Sequence, residues 1–354
     1  MPTIKEVALR AGVSPSTVSH VINKTRFVSP EVRERVLSAM GEIGYQPNAL
    51  ARSLRRGETL TLGLLLPDSA NPFFAQIAHI IEACAFDRGY SVVLCNTEGD
   101  QQKERFYVDL LLKKQVDGTI FMAAGDQTDS LRLLLAKKLP FVIVDRDFPE
   151  LLTDAVLVDN LAGGIQATSH LLSLGHRRIG CITGPSTLTP SADRVTGYKT
   201  ALQQAGIPID PALILSGDFH PESGYLAARQ LLLLENPPTA IFACNDLMAL
   251  GALRAASELS LSVPSDLSVV GFDDIELARY SNPPLTTIAQ PIEELSQRAT
   301  ALLIERMRDR SLPYRKEILY SHLNVRASSG TVRPDLSPAM PPALENRAGA
   351  AVSS

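Results

Sequence analysis

Apolar positions follow two rhythms along the chain. Up to about Gly57 they recur three and four residues apart, the spacing of helices; beyond it, short solid apolar runs alternate with amphipathic stretches. In the first part Ile4, Val7, Ala8 and Ala11 share a helical face, and Gly12 ends that helix. Ser14 fits an N-cap and Pro15 a first helical position. Val18, Val21 and Ile22 give a second helix its apolar side, while Thr3, Ser16, Thr17, Ser19, His20 and Asn23 remain polar. Ser29 and Pro30 open a third helix with an expected buried stripe of Val32, Val36, Leu37, Met40 and Ile43. Two short helices across a glycine turn, then a packing helix, predict a helix-turn-helix.

After Gly57 the apolar runs are "LGLLLPD", "SVVLCNTE", "GTIFMA", "FVIVDRD", "AVLVD", "RIGCITG", "AIFACND", "LSVVGFDD" and "TTIAQP". Segments such as 74–88 and 226–234 read as the helices between them. Alternating strand and helix predicts parallel sheets covered on both faces, and this many strands favours two doubly wound sheets over one. Polar residues gather where the strands end: Asp68 and Asn71, Asn96, Asp145 and Arg146, Asn245 and Asp246, Asp273 and Asp274, Gln290. In open α/β sheets ligands bind just beyond those ends.

Charge sharpens the picture. The 354 residues carry a net −4, yet residues 1–58 hold nine Lys/Arg against five Asp/Glu, leaving −8 for the rest. A basic head on an acidic body points to an anionic partner for the head alone. Ser16 and His20, four apart, share a face that fits base edges in a major groove, and Thr17 and Asn23 suit phosphates. The alternative is a small three-helix packing unit with a polar surface. "YQPNALARSLRRG" follows, with Leu50 and Leu54 at i and i+4 and basic Arg52, Arg55 and Arg56. It reads either as a flexible basic linker or as a short helix that folds on DNA and places Leu54 as a minor-groove wedge.

Enzymatic motifs are missing: there is no GxxxxGK[ST], GxSxG or HExxH, and Gly163 and Gly164 are only a weak glycine pair. The reading is therefore not an enzyme, with no cofactor and no metal. His170 and His176 read as surface or capping residues. Cys84, Cys95, Cys181 and Cys244 are far apart without a CxxC pair and read as buried thiols of a reduced compartment. With no apolar run long enough to span a membrane and no signal pattern, the expected location is the cytoplasm.

The stretch from Thr3 to Gly57 resembles the DNA-binding head and hinge of the LacI/GalR family of bacterial repressors. The body resembles the periplasmic-binding-protein-like core of that family, within it the ribose branch, through "NPFF", "RGYSVVLCNTEGD", "QVDG", "ACNDLMALG", "GFDDIELA" and "PPLTTIAQP". The resemblance implies that Pro15, Ser16 and His20 read bases and that Leu54 wedges into a central CpG step. Pro15 departs from a donor residue, having neither side-chain donor nor N–H, so base choice falls to Ser16 and His20. The expected DNA-contacting set is Thr3, Ser14, Pro15, Ser16, Thr17, His20, Asn23, Ala49, Leu54 and Arg55. The implied domains are a head over 1–46, a hinge helix over 47–57 and an effector-binding and dimerisation body over 59–329. That body divides into subdomains of about 59–160 plus 291–329, and 161–290. The Pro-, Ala- and Ser-rich tail over 330–354 reads as disordered and lacks heptads, so a homodimer on palindromic operator DNA is the economical assembly.

For the effector, Phe73, Phe74 and Phe219 offer flat apolar faces, and Asn71, Asp145, Arg146, Arg194, Asn245, Asp273 and Gln290 offer paired hydrogen-bonding groups. These ten look like the sugar-contacting set of bacterial ribose-binding proteins, which implies D-ribose or a close relative as inducer. A purine sandwiched by Phe74 and Phe219 is the competing ligand. An enzyme with a DNA-binding head and a free solute-binding protein are the rival classes.

Overall fold

The structure is a computed structural model that describes residues 2–23, 25–45, 58–123, 125 and 127–333. It divides into two units, Met1–Leu60 and Thr61–Ser354. The head has helices α1 (Ile4–Ala11), α2 (Pro15–Asn23) and α3 (Pro30–Glu42). Thr3 and Glu6 form a capping box on α1, and Gly12 ends it at φ 65°. Val7, Ala8, Ala11, Val18, Val21, Val36 and Ala39 form its core. Leu37, expected in that core, is 54% exposed. The buried side of α3 runs through Val32, Val36, Ala39 and Ile43, and Leu37 lies one residue off it. Arg10 on α1 pairs with Glu42 on α3, Nε to Oε2 at 2.7 Å.

The body holds two six-stranded sheets. The first is built from β1 (Thr61–Leu66), β2 (Ser91–Asn96), β3 (Gly118–Phe121), β4 (Phe141–Val144), β5 (Asp154–Val158) and β11 (Lys316–Leu319). Its order is β2-β1-β3-β4-β5-β11, parallel throughout. Its helices are α4 (Pro72–Phe86), α5 (Gln101–Lys113), α6 (Asp129–Ala136) and α12 (Ile292–Arg308). The second sheet comprises β6 (Ile179–Thr183), β7 (Ile214–Ser216), β8 (Ala240–Ala243), β9 (Ser268–Asp273), β10 (Thr286–Ala289) and β12 (His322–Asn324). Its order is β7-β6-β8-β9-β10-β12, antiparallel only between β10 and β12. Around it lie α7 (Asn160–Ser173), α8 (Thr189–Gln204), α9 (Pro221–Leu232), α10 (Asp246–Glu258) and α11 (Glu276–Tyr280). Central strands β3, β4, β5, β6 and β8 are buried along their whole length, which is why they read as solid apolar runs rather than alternating ones.

The chain crosses between the sheets three times, after β5, after β10 and after β11. The third crossing corrects the expected boundary. Residues 322–329, assigned from sequence to the first subdomain, belong to the second. There β12 pairs with β10, and Val269 N donates to Ser328 O at 2.7 Å. The first residues of the expected tail are bonded to the body. Val332 N donates to Leu174 O, and Arg333 pairs with Asp266 at 2.7 Å, so 330–333 are held on the body. The expected hinge helix over 47–57, with Ala49, Leu54 and Arg55, lies outside the described residues, as does the tail beyond Arg333.

His176 is not a surface residue. It is 2% exposed and bonded to Thr239, Ser268 and Gly330, while His170 meets Ser329 at 2.8 Å. Burial pushes both imidazoles down from their ordinary range. Cys95, Cys181 and Cys244 are buried free thiols, while Cys84 is only half-buried. Among the described residues no helix is long and apolar enough to cross a membrane, and no group of three or more His, Cys, Asp or Glu could hold a metal ion.

Candidate functional site

In the head, a cluster of hydroxyls marks the start of α2. Ser14 accepts from Thr17 N at 3.1 Å and lies 2.7 Å from Ser16 Oγ and 2.9 Å from Thr17 Oγ1. Ser14, Pro15 and Ser16 are exposed. Hydroxyls at a helix N-terminus, where backbone N–H groups lack helical acceptors, suit a phosphate oxygen. His20 is half-buried, with Nδ1 2.8 Å from Thr25 Oγ1, which leaves Nε2 for a base edge. Thr3 caps α1. The Asn23 amide turns back onto Ser19 O at 2.8 Å, so a phosphate contact by that group requires it to rotate.

In the body, the loops at the strand ends of both sheets enclose one cavity of about 480 Å³. Nine of the ten expected effector residues line it: Asn71, Phe73, Phe74, Asp145 and Arg146 from the first sheet's side, Arg194, Phe219, Asn245 and Asp273 from the second's. Gln290 does not line it. It stands behind Asp273, donating through Nε2 to Asp273 Oδ1 at 2.7 Å. Asp68, Glu98, Asp218 and His220 also line the cavity. Of these only Asp68 stood out in the sequence, since Asp218 and His220 follow a strand too short to announce itself.

Local chemistry sets each group. Asn71 and Asn245 are N-caps of α4 and α10, accepting from Phe73 N at 3.0 Å and Met248 N at 2.9 Å, so capping and lining coexist. Phe73 and Phe74 meet edge to face at 5.1 Å. The Phe219 ring lies so close over Gly184 that a Cβ there would come within 2.1 Å of it. Arg194 reaches inward from α8. Its Nε donates to Asn160 Oδ1 at 2.8 Å and one terminal nitrogen donates to Cys244 O at 2.6 Å. That same nitrogen lies 3.6 Å from Asp273 Oδ1, and the guanidinium sits 3.8 Å over the Phe272 ring. Four cavity residues, Glu98, Asp145, Phe219 and Asp273, have positive φ without being glycine. Such strain persists where surrounding structure enforces it, commonly at ligand sites.

Burial pushes the Asp273 carboxyl up to about 7, against the pull of Arg194 and the Gln290 hydrogen bond and with help from Asp145. Burial likewise raises Asp145, opposed by Arg194 and Arg146. No described residue donates to Asp145 Oδ1 or Gln290 Oε1, although both atoms are buried. The cavity thus presents dehydrated acceptors beside fixed guanidinium groups, between aromatic faces. It can hold a small solute rich in hydroxyl or N–H donors.

A helix-turn-helix head joined to a two-sheet body with a solute-sized cleft defines a DNA-binding regulator with an effector site. Residues 3–48 match the lacI family of bacterial regulatory proteins, and residues 168–329 match a periplasmic binding protein-like domain. The HTH-type transcriptional repressor PurR of Photobacterium profundum is 42% identical over 93% of this chain and 98% of its own. The lac repressor dimer bound to operator and the anti-inducer ONPF superposes with a TM-score of 0.84, at 31% identity over 93% of this chain and 99% of that one. A LacI family regulator from Enterococcus faecium with bound ribose gives 0.72, at 33% identity over 77% of this chain and all of that one. The chain belongs to the lacI family of bacterial regulatory proteins. It is a DNA-binding transcriptional repressor, not an enzyme, of a kind that acts on operator DNA with a small-molecule effector and typically as a dimer.

Proposed function

We propose that this repressor is controlled by a neutral monosaccharide, D-ribose or a close relative, whose binding releases operator DNA from a homodimer and so induces sugar uptake or catabolism genes. The observation that carries the reading is a buried acceptor without a partner in the cavity wall, Asp145 Oδ1, beside the carboxylate of Asp273 and the guanidinium of Arg194. A pentose has a hydroxyl on nearly every carbon and can satisfy such groups from several directions, while its C–H faces suit Phe74 and Phe219. A purine has few donors and would leave buried acceptors unmet, a costly outcome. Five carboxylates (Asp68, Glu98, Asp145, Asp218 and Asp273) against Arg146, Arg194 and His220 also disfavour a phosphorylated ligand. The ribose-bound regulator at 33% identity supports the sugar.

A purine is the second reading, favoured by relatives of 42–44% identity that carry the name PurR rather than that of a ribose repressor. Calorimetry with ribose, hypoxanthine and guanine side by side decides. Binding of ribose alone is expected; no heat with ribose and tight binding of hypoxanthine or guanine would overturn the sugar.

Two further outcomes follow from the site. Only ionised Asp273 can accept hydroxyls at both oxygens while facing Arg194, so sugar binding favours the deprotonated form. Affinity should hold steady above pH 7 and fall by up to about tenfold per unit as pH drops below 7, a trend calorimetry at several pH values would reveal. Arg194, Asp145 and Asp246 are the charged groups that share this titration. The stability linkage has its own sign. Between its ordinary value of 3.8 and about 7, Asp273 binds a proton in the native but not the unfolded chain, so its contribution to ligand-free stability declines as pH rises through that window.

In the head, Ser16 and His20 choose the operator sequence while Arg52, Arg55 and Arg56 supply affinity of little sequence preference. His20→Ala should relax one symmetric pair of base positions, at a cost of ~1–3 kcal/mol of discrimination. Selection from random duplexes that returned the wild-type motif would assign His20 to phosphate or solvent.

A further inference from the structure

Asn160 is the first residue of α7, just after β5 and so at the first crossing between the sheets. It is 3% exposed. Capping does not explain it, because Asp159 already caps α7 by accepting from Ala162 N at 2.9 Å. Its amide instead makes two bonds in opposite directions. Nδ2 donates to Val158 O, the last carbonyl of β5, at 3.1 Å, and Oδ1 accepts from Arg194 Nε at 2.8 Å. Arg194 is also held by Cys244 O at the end of β8. Asn160 supplies the acceptor that Nε faces, and because the guanidinium is planar, the direction of Nε bears on where the terminal nitrogens face Asp273. Asn160 itself does not line the cavity.

We infer that Asn160 is the positioning residue that fixes the effector-facing guanidinium of Arg194 to the crossing strand, so that effector affinity depends on a side chain the effector never touches. The inference rests on the reading of this cavity as the effector site. It gives the crossing a direct bond to a ligand-facing group. A ligand that pulls on Arg194 pulls on the backbone joining the two sheets.

The test uses the full-length protein with Asn160→Ala, Asn160→Asp, Arg194→Lys and the double variant Asn160→Ala/Arg194→Lys. The first readout needs no ligand: the Arg194 Nε–H resonance, assigned by its loss in Arg194→Lys. It should exchange slowly with solvent in the wild type and in Asn160→Asp, which keeps an acceptor, and rapidly in Asn160→Ala. The second readout is ribose affinity by calorimetry. Asn160→Ala should weaken it about tenfold, the size of one lost charge-assisted hydrogen bond, yet change it less than about twofold when Arg194 is already lysine. A merely structural role would weaken both backgrounds alike. Unchanged Nε–H protection in Asn160→Ala, or losses that multiply in the double variant, would overturn the inference. If Asn160→Ala does not fold, Asn160→Ser, too short to reach Arg194, takes its place with the same expectations. Absence of ribose binding in the wild type would sink the ribose reading alone, and Nε–H exchange would then decide Asn160 by itself.

Discussion

Replacing Asp273 by alanine should reduce ribose affinity at least a hundredfold and leave operator binding intact, giving a repressor that the sugar cannot release. Asp273 ends β9 with 4% exposure and φ 114°. It brings two acceptor oxygens to the cavity and faces Arg194 at 3.6 Å. Removing it deletes hydrogen bonds from ligand hydroxyls to a charged group, each worth about 1.5–3 kcal/mol, and leaves the Arg194 guanidinium facing the sugar without its counter-charge. Burial opposes the ionised carboxylate, which offsets part of the cost of leaving Arg194 and the Gln290 amide without their partner, and a thermal melt of the variant would measure the rest. Calorimetry would measure the affinity, and a mobility shift titrated with ribose would show the operator complex persisting. Wild-type sugar affinity in Asp273→Ala would remove Asp273 from the site. Asp273→Asn keeps one acceptor and the shape, and should lie between.

What the sequence made legible follows from what each element must do. Nine strands stood out as apolar runs, eight of them because strands covered on both faces need such runs; β2, at a sheet edge, stood out through its own run of Val, Val and Leu. The three missed strands, β7, β11 and β12, are edges of three or four residues with exposed positions, so they look like loops. Missing β12 is also what misplaced residues 322–329. The cavity lining was legible because strand ends deliver polar groups to a cleft, and those groups stand beside otherwise apolar runs. Gln290 fits that pattern but stands one layer back, and no pattern in one sequence separates touching a ligand from supporting a residue that does. Positive φ at Asp145 and Asp273 was likewise invisible, since tertiary contacts hold these non-glycine residues there. Asn160 looked like a domain boundary because its partner Arg194 is distant in the chain.

The glycine pair set aside in the sequence as weak turns out to govern the largest stability effect expected. Gly164 on α7 lies against the backbone of α8: a Cβ would sit 2.2 Å from Arg194 O and 3.0 Å from its carbonyl carbon. Gly197 answers from the other side, where a Cβ would sit 2.4 Å from Leu161 O. The two helices thus meet backbone to backbone, with no flexible side-chain tip to yield. Gly164→Ala must push the helices apart, and overpacking against rigid neighbours costs about 3 kcal/mol or more. For a body of this size that lowers the melting temperature by roughly 6–12 °C. Gly118→Ala provides the contrast. Its Cβ would meet Met307 Sδ at 2.7 Å and Leu303 Cδ1 at 2.9 Å, both ends of flexible side chains, so the loss should stay under about 1.5 kcal/mol. The functional consequence separates the two as well. The Gly164 contact falls on Arg194, whose guanidinium lines the cavity, so Gly164→Ala should weaken ribose binding even where the protein remains folded, and Gly118→Ala should not. Thermal melts and calorimetry on both variants check this. A melting temperature within about a degree of wild type for Gly164→Ala would mean that α7 and α8 can separate at little cost, and the rigid seat proposed for Arg194 would go with it.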